Sequence, residues 1–250
     1  MSLRGKSVFV TGANSGIGLA TALRFAEEGA NVAIFSRRAG ANAEACALIE
    51  AKGVEAYSFA GDVGDEDAVR EAVAATVRAW GGLHYAFNAA GAAQSVTPLT
   101  ELSLDEYETL MSANARGTFL SMKYEILAIR ASGGGAICNC ASAAGLIPSA
   151  FQVAYAGAKF AVVGMTRGAA LECAKDGVRV NVVCPGATTG EMWVDFARKH
   201  PDRAALALAK HPMNRVGEKE EVAAAVLFLC RDATFTTGHA FPVDGGRTTG

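Results

Sequence analysis

The sequence lacks a run of about 20 apolar residues, a cluster of Lys and Arg, and any CxxC pair among its six cysteines. A membrane span needs such an apolar run, and a nucleic-acid-binding surface usually needs clustered positive charge. The net charge is only −2, from 23 Lys and Arg against 25 Asp and Glu. We therefore expect no membrane partner and no nucleic-acid partner.

The N-terminus and the cysteines exclude two further classes. The first apolar run, Val8–Val10, is too short for the core of a signal peptide, so we expect a cytoplasmic location. Cys138 and Cys140 are two residues apart on a predicted strand, so their side chains share a face. No further Cys or His stands near them at the spacing that a metal site needs. We predict buried thiols and no bound metal.

Short segments rich in Val, Ile, Phe and Ala alternate with longer amphipathic segments along the whole chain. The predicted strands are Ser7–Thr11, Asn31–Ser36, Glu55–Ala60, Leu83–Asn88, Gly135–Ala141, Arg179–Cys184 and His239–Val243. The predicted helices are Gly16–Gly29, Asp65–Trp80, Ser103–Arg130, Val153–Lys175 and Lys219–Arg231. Apolar and polar residues hardly alternate within the strands, which is typical of strands buried on both faces of a parallel sheet.

This pattern predicts an α/β fold, namely a Rossmann-like, doubly wound parallel sheet of seven strands with helices on both faces. The 250 residues contain no linker or repeat, so we predict a single domain over residues 1–250. The stretch 186–217 is irregular and follows the sixth strand, at the end of the sheet where such folds bind ligands. We interpret it as a mobile substrate lid.

A glycine-rich turn connects the first predicted strand to the first predicted helix. Glycines let the backbone turn sharply and approach a pyrophosphate, and the helix N-terminus offers free N–H groups to phosphates. Its place directly after the first strand favours dinucleotide binding over an ordinary loop. The predicted cofactor-binding residues of the turn are Gly12, Asn14, Ser15, Gly16, Ile17 and Gly18.

Tyr155 and Lys159 are four residues apart in a predicted helix, so their side chains lie on one face. An ammonium group favours the ionised form of a nearby phenol, which suits the pair to general acid–base catalysis. Ser142 follows the fifth strand, and Asn114 lies in the middle of a predicted helix, where asparagine is a mediocre helix former.

Taken together, these motifs resemble the short-chain dehydrogenase/reductase family, in its single-domain branch. The spacing Gly-x3-Gly-x-Gly, the Tyr-x3-Lys pair after Ser142, and the segments Asn88–Gly91 and Asn181–Gly186 all match that family. The resemblance spans essentially the whole chain. It implies an oxidoreductase that transfers a hydride between a nicotinamide cofactor and a carbonyl or alcohol carbon.

The resemblance also implies a role for each catalytic residue. Tyr155 would protonate or deprotonate the substrate oxygen, and Ser142 would donate a hydrogen bond to that oxygen. Lys159 would hold the nicotinamide ribose and favour the ionised tyrosine. Asn114 would position a water that links Lys159 to solvent.

Further cofactor contacts follow from the same resemblance. The implied residues, besides the glycine-rich turn, are Ser36, Arg37, Asp62, Val63, Asn88, Ala89, Gly91, Tyr155, Lys159, Pro185, Gly186 and Thr188. Asp62 and Val63 would lie by the adenine ring, and the Pro185-Gly186 turn would face the nicotinamide. Family members usually carry a threonine five residues after this proline, but here that position is Gly190.

The end of the second strand bears on the choice of nicotinamide. An acid there binds the ribose 2′-OH of NAD, whereas an arginine accommodates the 2′-phosphate of NADP. Ser36 takes the position of the acid, and Arg37 follows it. Because arginine presents a planar fork of donors to phosphate, we favour NADP over NAD.

The sequence says less about the substrate and the oligomeric state. Trp193 and Phe196 in the 186–217 stretch either line an apolar pocket or pack the lid onto the domain, and no cluster of Arg or Lys there demands a charged substrate. A ketone, a sugar, a steroid and a carrier-bound β-ketoacyl group all remain open. The resemblance implies a homotetramer, which the apolar helices 103–130 and 153–175 would help to assemble.

Three alternatives compete with a general dehydrogenase. They are a catalytically idle NADP-binding redox sensor, an enzyme that performs epimerisation or dehydration, and a 3-oxoacyl-carrier-protein reductase as the specific subtype. The intact residues Asn114, Ser142, Tyr155 and Lys159 argue against the sensor. Epimerising or dehydrating members generally have a longer C-terminal substrate region, which this sequence lacks.

Overall fold

The strands of the computed structural model, which describes residues 2–249, form one parallel sheet. They are β1 (Ser7–Thr11), β2 (Asn31–Ser36), β3 (Ala56–Ala60), β4 (Tyr85–Asn88), β5 (Gly135–Cys140), β6 (Val178–Pro185) and β7 (Ala240–Val243). Their order is β3-β2-β1-β4-β5-β6-β7, and each neighbouring pair is parallel. The predicted Rossmann-like, seven-stranded parallel sheet is confirmed.

Helices connect the strands. They are α1 (Gly16–Glu27), α2 (Ala39–Glu50), α3 (Glu66–Trp80), α4 (Leu104–Met111), α5 (Gly117–Ala131), α6 (Val153–Cys173), α7 (Glu191–Lys199), α8 (Pro201–Ala209) and α9 (Lys219–Leu227). Five-residue π-helical segments follow α4 (Ser112–Arg116) and α9 (Phe228–Asp232). None of the helices within residues 2–249 is long and apolar enough to cross a membrane.

The two faces of the sheet are covered by separate helix layers. Alternate side chains of a strand point to opposite faces, so Val8 and Val10 of β1 pack into one core while Phe9 packs into the other. Helices α1, α2 and α9 supply the first core, and α3, α5 and α6 supply the second. This two-sided burial explains why the strands show so little polar alternation.

The sequence prediction was wrong in three places. It omitted α2, because only Asn42, Ala45 and Ile49 of that helix are buried and its many alanines give no clear apolar stripe. It treated 186–217 as irregular, whereas this stretch contains α7 and α8. The predicted helix 103–130 contains a π-helical segment between α4 and α5.

A buried histidine anchors the segment that follows β6. His211 is 2% exposed, and its Nε2 accepts a hydrogen bond of 3.0 Å from the backbone N–H of Ala187. The other ring nitrogen must then carry the proton, and it donates to the Ala207 carbonyl at 2.8 Å. His211 thereby ties the end of α8 to the turn that follows β6.

Candidate active site

A cavity of about 1020 Å³ opens at the carboxyl ends of the strands. Strand order reverses between β1 and β4, and ligands of such sheets bind at this switch point. The predicted site residues that line the cavity are Gly12, Asn14, Ser15, Gly16, Ile17, Gly18, Ser36, Arg37, Asp62, Val63, Ala89, Gly91, Asn114, Ser142, Tyr155, Lys159, Pro185, Gly186 and Thr188. The structure therefore brings together every predicted site residue except Asn88.

The glycine-rich turn is shaped for a close-fitting ligand. Gly12 has a φ of +67°, a conformation that residues with a Cβ rarely adopt. A Cβ added to Gly18 would lie 2.2 Å from the Gly12 carbonyl oxygen, so the turn packs tightly against the start of α1. Ser15, the N-cap of α1, makes no side-chain capping bond, and the first turn of α1 carries no acid. The N-terminal N–H groups and dipole of α1 thus suit an anion such as a pyrophosphate.

Two buried polar atoms at the cavity wall lack a partner within the described chain. They are Ser36 Oγ, at the end of β2, and Asn114 Oδ1, in the π-helical segment. Buried polar atoms are nearly always hydrogen-bonded, so each suits a ligand or water that enters the cavity. The residues present therefore fit a dinucleotide that extends from the end of β2 to the reacting residues.

One short connection and one helix position three of the predicted catalytic side chains. Ser142 precedes a 3₁₀ turn after β5, and its Oγ accepts a hydrogen bond of 3.1 Å from the Ala144 N–H. Tyr155 and Lys159 lie on the first turns of α6, with Lys159 Nζ 5.6 Å from the centre of the tyrosine ring. Lys159 is only 5% exposed, and its Nζ donates to the Cys140 carbonyl at 3.0 Å.

Asn114 lies beside Lys159 because of the π-helical segment. Its Nδ2 donates to the carbonyls of Leu110 and Ala92, both at 3.0 Å. A Cβ on Gly91 would lie 2.5 Å from Asn114 Oδ1 and 3.6 Å from Lys159 Nζ, so both atoms approach the same glycine. Such π-helical insertions often occur at functional sites. The free amide oxygen is thereby held close to the ammonium.

Two arginines follow β2, and only Arg38 forms a salt bridge within residues 2–249. Arg38 lies 3.6 Å from Glu191 of α7, and both side chains are mostly exposed. Arg37 lines the cavity and forms no salt bridge within residues 2–249. Asn42 fixes the strand end, because its Nδ2 donates to the carbonyls of Ser36 and Phe59.

Asn88 was predicted to bind the cofactor, but its side chain lies in a buried polar network away from the cavity. Its Nδ2 donates to Glu125 Oε2 at 2.8 Å and to Asn139 Oδ1 at 3.0 Å. Asn139 Nδ2 in turn donates to Thr166 Oγ1 at 2.9 Å. The network joins β4 and β5 to α5 and α6. Helix α6 carries Tyr155 and Lys159, and α5 follows the segment that contains Asn114.

Glu125 is completely buried in this network, and burial raises the pKa of its carboxyl to about 8, against a smaller opposing effect of the Asn88 hydrogen bond. Glu125 Oε1 and Asn88 Oδ1 lack partners within residues 2–249. A protonated carboxyl can donate a hydrogen bond to an amide oxygen. The neutral acid therefore brings a donor into a network that otherwise holds two unpaired acceptors.

We expect Glu125→Gln to stabilise the protein above pH 8 and to change stability little at pH 5. The native carboxyl retains its proton up to pH 8, whereas the unfolded one loses it near 4.5. Wild-type stability therefore falls between these pH values, by about 1.4 kcal/mol per pH unit. Glutamine offers an uncharged donor and acceptor in the same space, so the variant avoids this loss.

The measurement is the melting temperature of both proteins from pH 5 to pH 9. The variant should melt several degrees higher at pH 9, and the difference should shrink towards pH 5. Glu108→Gln, at an exposed position on α4, is the matched control. A melting-temperature difference that does not change with pH would contradict the buried ionisation.

Several cavity residues were not predicted from the sequence. They include Gln94, Phe151, Arg203, Lys210 and Arg247. Gln94 Oε1 accepts a hydrogen bond of 2.9 Å from the Tyr155 N–H and so supports the start of α6. No local motif marks these residues, because they come from four separate segments of the chain.

Within residues 2–249, no group of three or more His, Cys, Asp or Glu side chains is placed to hold a metal.

Comparison with known proteins shows the family to which the chain belongs. The family model described as "Enoyl-(Acyl carrier protein) reductase" matches residues 12–248. The chain is 42% identical over 249 residues to 2,5-dichloro-2,5-cyclohexadiene-1,4-diol dehydrogenase of Sphingobium indicum, with 98% of each chain covered. Other relatives are also named as dehydrogenases or reductases.

Solved structures share the fold over nearly the whole chain. NAD+-bound xylitol dehydrogenase has a TM-score of 0.93 and 34% identity, with 98% of this chain and 100% of that chain covered. ElxO with NADP bound has a TM-score of 0.91 and 31% identity, with 98% and 99% covered. Relatives of this chain thus hold either nicotinamide dinucleotide and act on CH–OH or C=O groups. The chain belongs to the short-chain dehydrogenase/reductase family and is an oxidoreductase of that family.

Proposed function

We propose that this protein reduces a ketone, or oxidises the corresponding alcohol, with Tyr155 as general acid or base. The observation that carries the proposal is that Ser142, Tyr155, Lys159 and Asn114 all line one cavity that fits a dinucleotide. The bound nicotinamide would supply the hydride in reduction and accept it in oxidation.

Each residue would act on the substrate oxygen or on its proton. In reduction, the Tyr155 hydroxyl would donate its proton to the carbonyl oxygen, while the Ser142 hydroxyl donates a hydrogen bond to the same oxygen. Lys159 would hold the nicotinamide ribose, and its ammonium lies 5.6 Å from the centre of the Tyr155 ring. The free Oδ1 of Asn114 would hold a water through which Lys159 exchanges protons with solvent.

A panel of ketones and secondary alcohols, assayed with both nicotinamides by their absorbance, tests this function. Turnover with at least one substrate supports it, whereas dinucleotide binding without any turnover would favour the idle redox sensor. Conversion of a substrate without net oxidation would favour epimerisation or dehydration. The relatives described above give no support to a 3-oxoacyl-carrier-protein reductase.

We further propose that NADP is the preferred cofactor. Ser36 and Arg37 stand at the cavity end where an acid would bind a free ribose. Arg37 has no acidic partner in residues 2–249, and Ser36 Oγ is free. Both groups can bind a 2′-phosphate, and neither would repel it.

Arg37→Ala is expected to weaken NADP binding by about 10- to 100-fold and to leave NAD binding nearly unchanged. A hydrogen bond to a charged group contributes about 1.5–3 kcal/mol, and only NADP carries the phosphate that would form it. Fluorescence titration with each cofactor measures the two affinities. Ser36→Asp should shift the preference towards NAD, because its carboxylate would repel the phosphate. An equal loss for both cofactors in Arg37→Ala would contradict the assignment.

We also propose a single-domain chain that forms a homotetramer without nucleic-acid or membrane partners. Large apolar side chains of α5 and α6 are exposed in the isolated chain, among them Phe119, Phe160 and Leu171. Contiguous exposed apolar surface often marks an interface between subunits. Light scattering after size-exclusion chromatography would give the number of subunits.

A further inference from the structure

We propose that the substrate carries a small oxyanionic head group, such as a carboxylate or a sulfonate, which Arg203, Arg247 and Lys210 bind in the part of the cavity next to Tyr155. This inference rests on the proposed oxidoreductase function and adds the chemical class of its substrate. It also goes beyond the sequence analysis, which found no cluster of Arg or Lys in the 186–217 stretch that would demand a charged substrate.

The first observation is an excess of positive charge among the residues that line the cavity. Arg203, Arg247 and Lys210 all line the cavity, and none of them forms a salt bridge within residues 2–249. The only carboxylates among the described lining residues are Asp62 and Glu191. These two lie at the cofactor end, where Asp62 accepts from the Gly64 N–H and Glu191 faces Arg38. Arg203, Arg247 and Lys210 therefore line a cavity in which no carboxylate of the described lining residues neutralises them.

Contacts of the two arginines place them at the reacting end. Arg247 is half-buried, and its Nη2 donates to Ser149 Oγ at 2.7 Å. The Arg203 guanidinium lies 4.7 Å from the centre of the Phe151 ring. Ser149 and Phe151 belong to the short connection between Ser142 and Tyr155. Neither arginine therefore lies by the Gly12–Gly18 turn or the end of β2, where the cofactor phosphates would bind.

The backbone at Phe151 is strained in a way that fixes this arrangement. Phe151 has a φ of +66°, which is unfavourable for a residue with a bulky side chain. Its carbonyl accepts hydrogen bonds from the Thr97 N–H and from Gln94 Nε2, both at 3.4 Å. Strained residues held by their surroundings are often found at ligand sites. Here the two hydrogen bonds to its carbonyl hold Phe151 in this conformation at the cavity wall, with the Arg203 guanidinium over its ring.

Large apolar side chains also line the cavity. Trp193 and Phe196 of α7 have their ring centres 5.8 Å apart, and Leu206 of α8 belongs to the same lining. A guanidinium stacked on an aromatic ring keeps its N–H donors free for a planar or tetrahedral oxyanion. The geometry therefore points to a substrate with an apolar body that carries both the reacting carbonyl and the anion.

The test compares keto acids with their methyl esters, namely 3-oxobutanoate, 4-oxopentanoate and 5-oxohexanoate, with 3-oxobutane-1-sulfonate as the sulfonate probe. We expect the best keto acid or the sulfonate to exceed the best ester at least tenfold in kcat/KM. Arg203→Gln and Arg247→Gln should each lower kcat/KM for the anionic substrate at least tenfold, mainly through KM. Their activity on the esters should stay within twofold of wild type.

Arg198→Gln is the matched control, because Arg198 is an exposed arginine of α7 that pairs with Asp195 and does not line the cavity. It should leave both substrate series unchanged. Equal kcat/KM for acids and esters in the wild type, or parallel losses on both series in the arginine variants, would overturn the anion site. Absence of turnover on both series and on the neutral ketone panel would instead count against the proposed function itself.

Discussion

Tyr155→Phe is expected to lower kcat by about 10²- to 10⁴-fold while leaving the Kd for NADP within twofold of wild type. General acid–base catalysis contributes a factor of this size, and phenylalanine removes only the hydroxyl that would carry the proton. The ring keeps its place on α6, because the Tyr155 N–H remains bonded to Gln94 Oε1. Binding of the dinucleotide at the Gly12–Gly18 turn should therefore not change.

Single-turnover rates and cofactor titrations on the same preparation measure the two quantities separately. Tyr57→Phe is the matched control, since Tyr57 lies on β3 and stacks on Trp80 at 5.1 Å, outside the cavity. A Tyr155→Phe variant that kept more than about a tenth of wild-type turnover would remove Tyr155 from the acid–base role. A large loss of NADP affinity would mean that the substitution disturbs the site as a whole.

Most of the sheet could be predicted from the sequence because its determinants are local. The strands are short runs of apolar residues between turns, and burial of both faces keeps β1, β2 and β6 mostly apolar. The positions of Ser142, Tyr155 and Lys159 depend on where β5 ends and where α6 begins. Parallel strands end at one edge of the sheet, so these positions followed from the order of the elements.

The features that the sequence did not indicate depend on packing between distant segments. Helices α7 and α8 have nine residues each, and only Ala204 among them is buried, so they lack the stripe of buried apolar residues that marks the predicted helices. The direction of the Asn88 side chain depends on Glu125, 37 residues away. The cation group depends on Arg247 meeting Ser149 across 98 residues. Nothing local to these segments indicates such contacts.

Lys159→Ala is expected to affect both binding and catalysis, which distinguishes it from Tyr155→Phe. Its buried ammonium uses one donor on the Cys140 carbonyl, which leaves two donors for groups in the cavity. Loss of a charged hydrogen bond to the ribose should weaken NADP binding by about 10- to 100-fold. Turnover should also fall, because the ammonium would no longer hold the ribose beside the reacting residues.

The alanine variant also leaves the partly buried Cys140 carbonyl without the Lys159 donor, which costs up to about 1–3 kcal/mol. Lys159→Met keeps the apolar stem without the charge and so separates the loss of packing from the loss of the ammonium. Lys175→Ala, at an exposed position beyond the end of α6, is the control for removing a positive charge. If Lys159→Met binds NADP as wild type does and keeps the wild-type kcat, Lys159 lies outside the chemistry. If NADP binding weakens and kcat falls while the melting temperature stays within a few degrees, the ammonium acts at the site directly, because a purely structural role would lower the melting temperature as well.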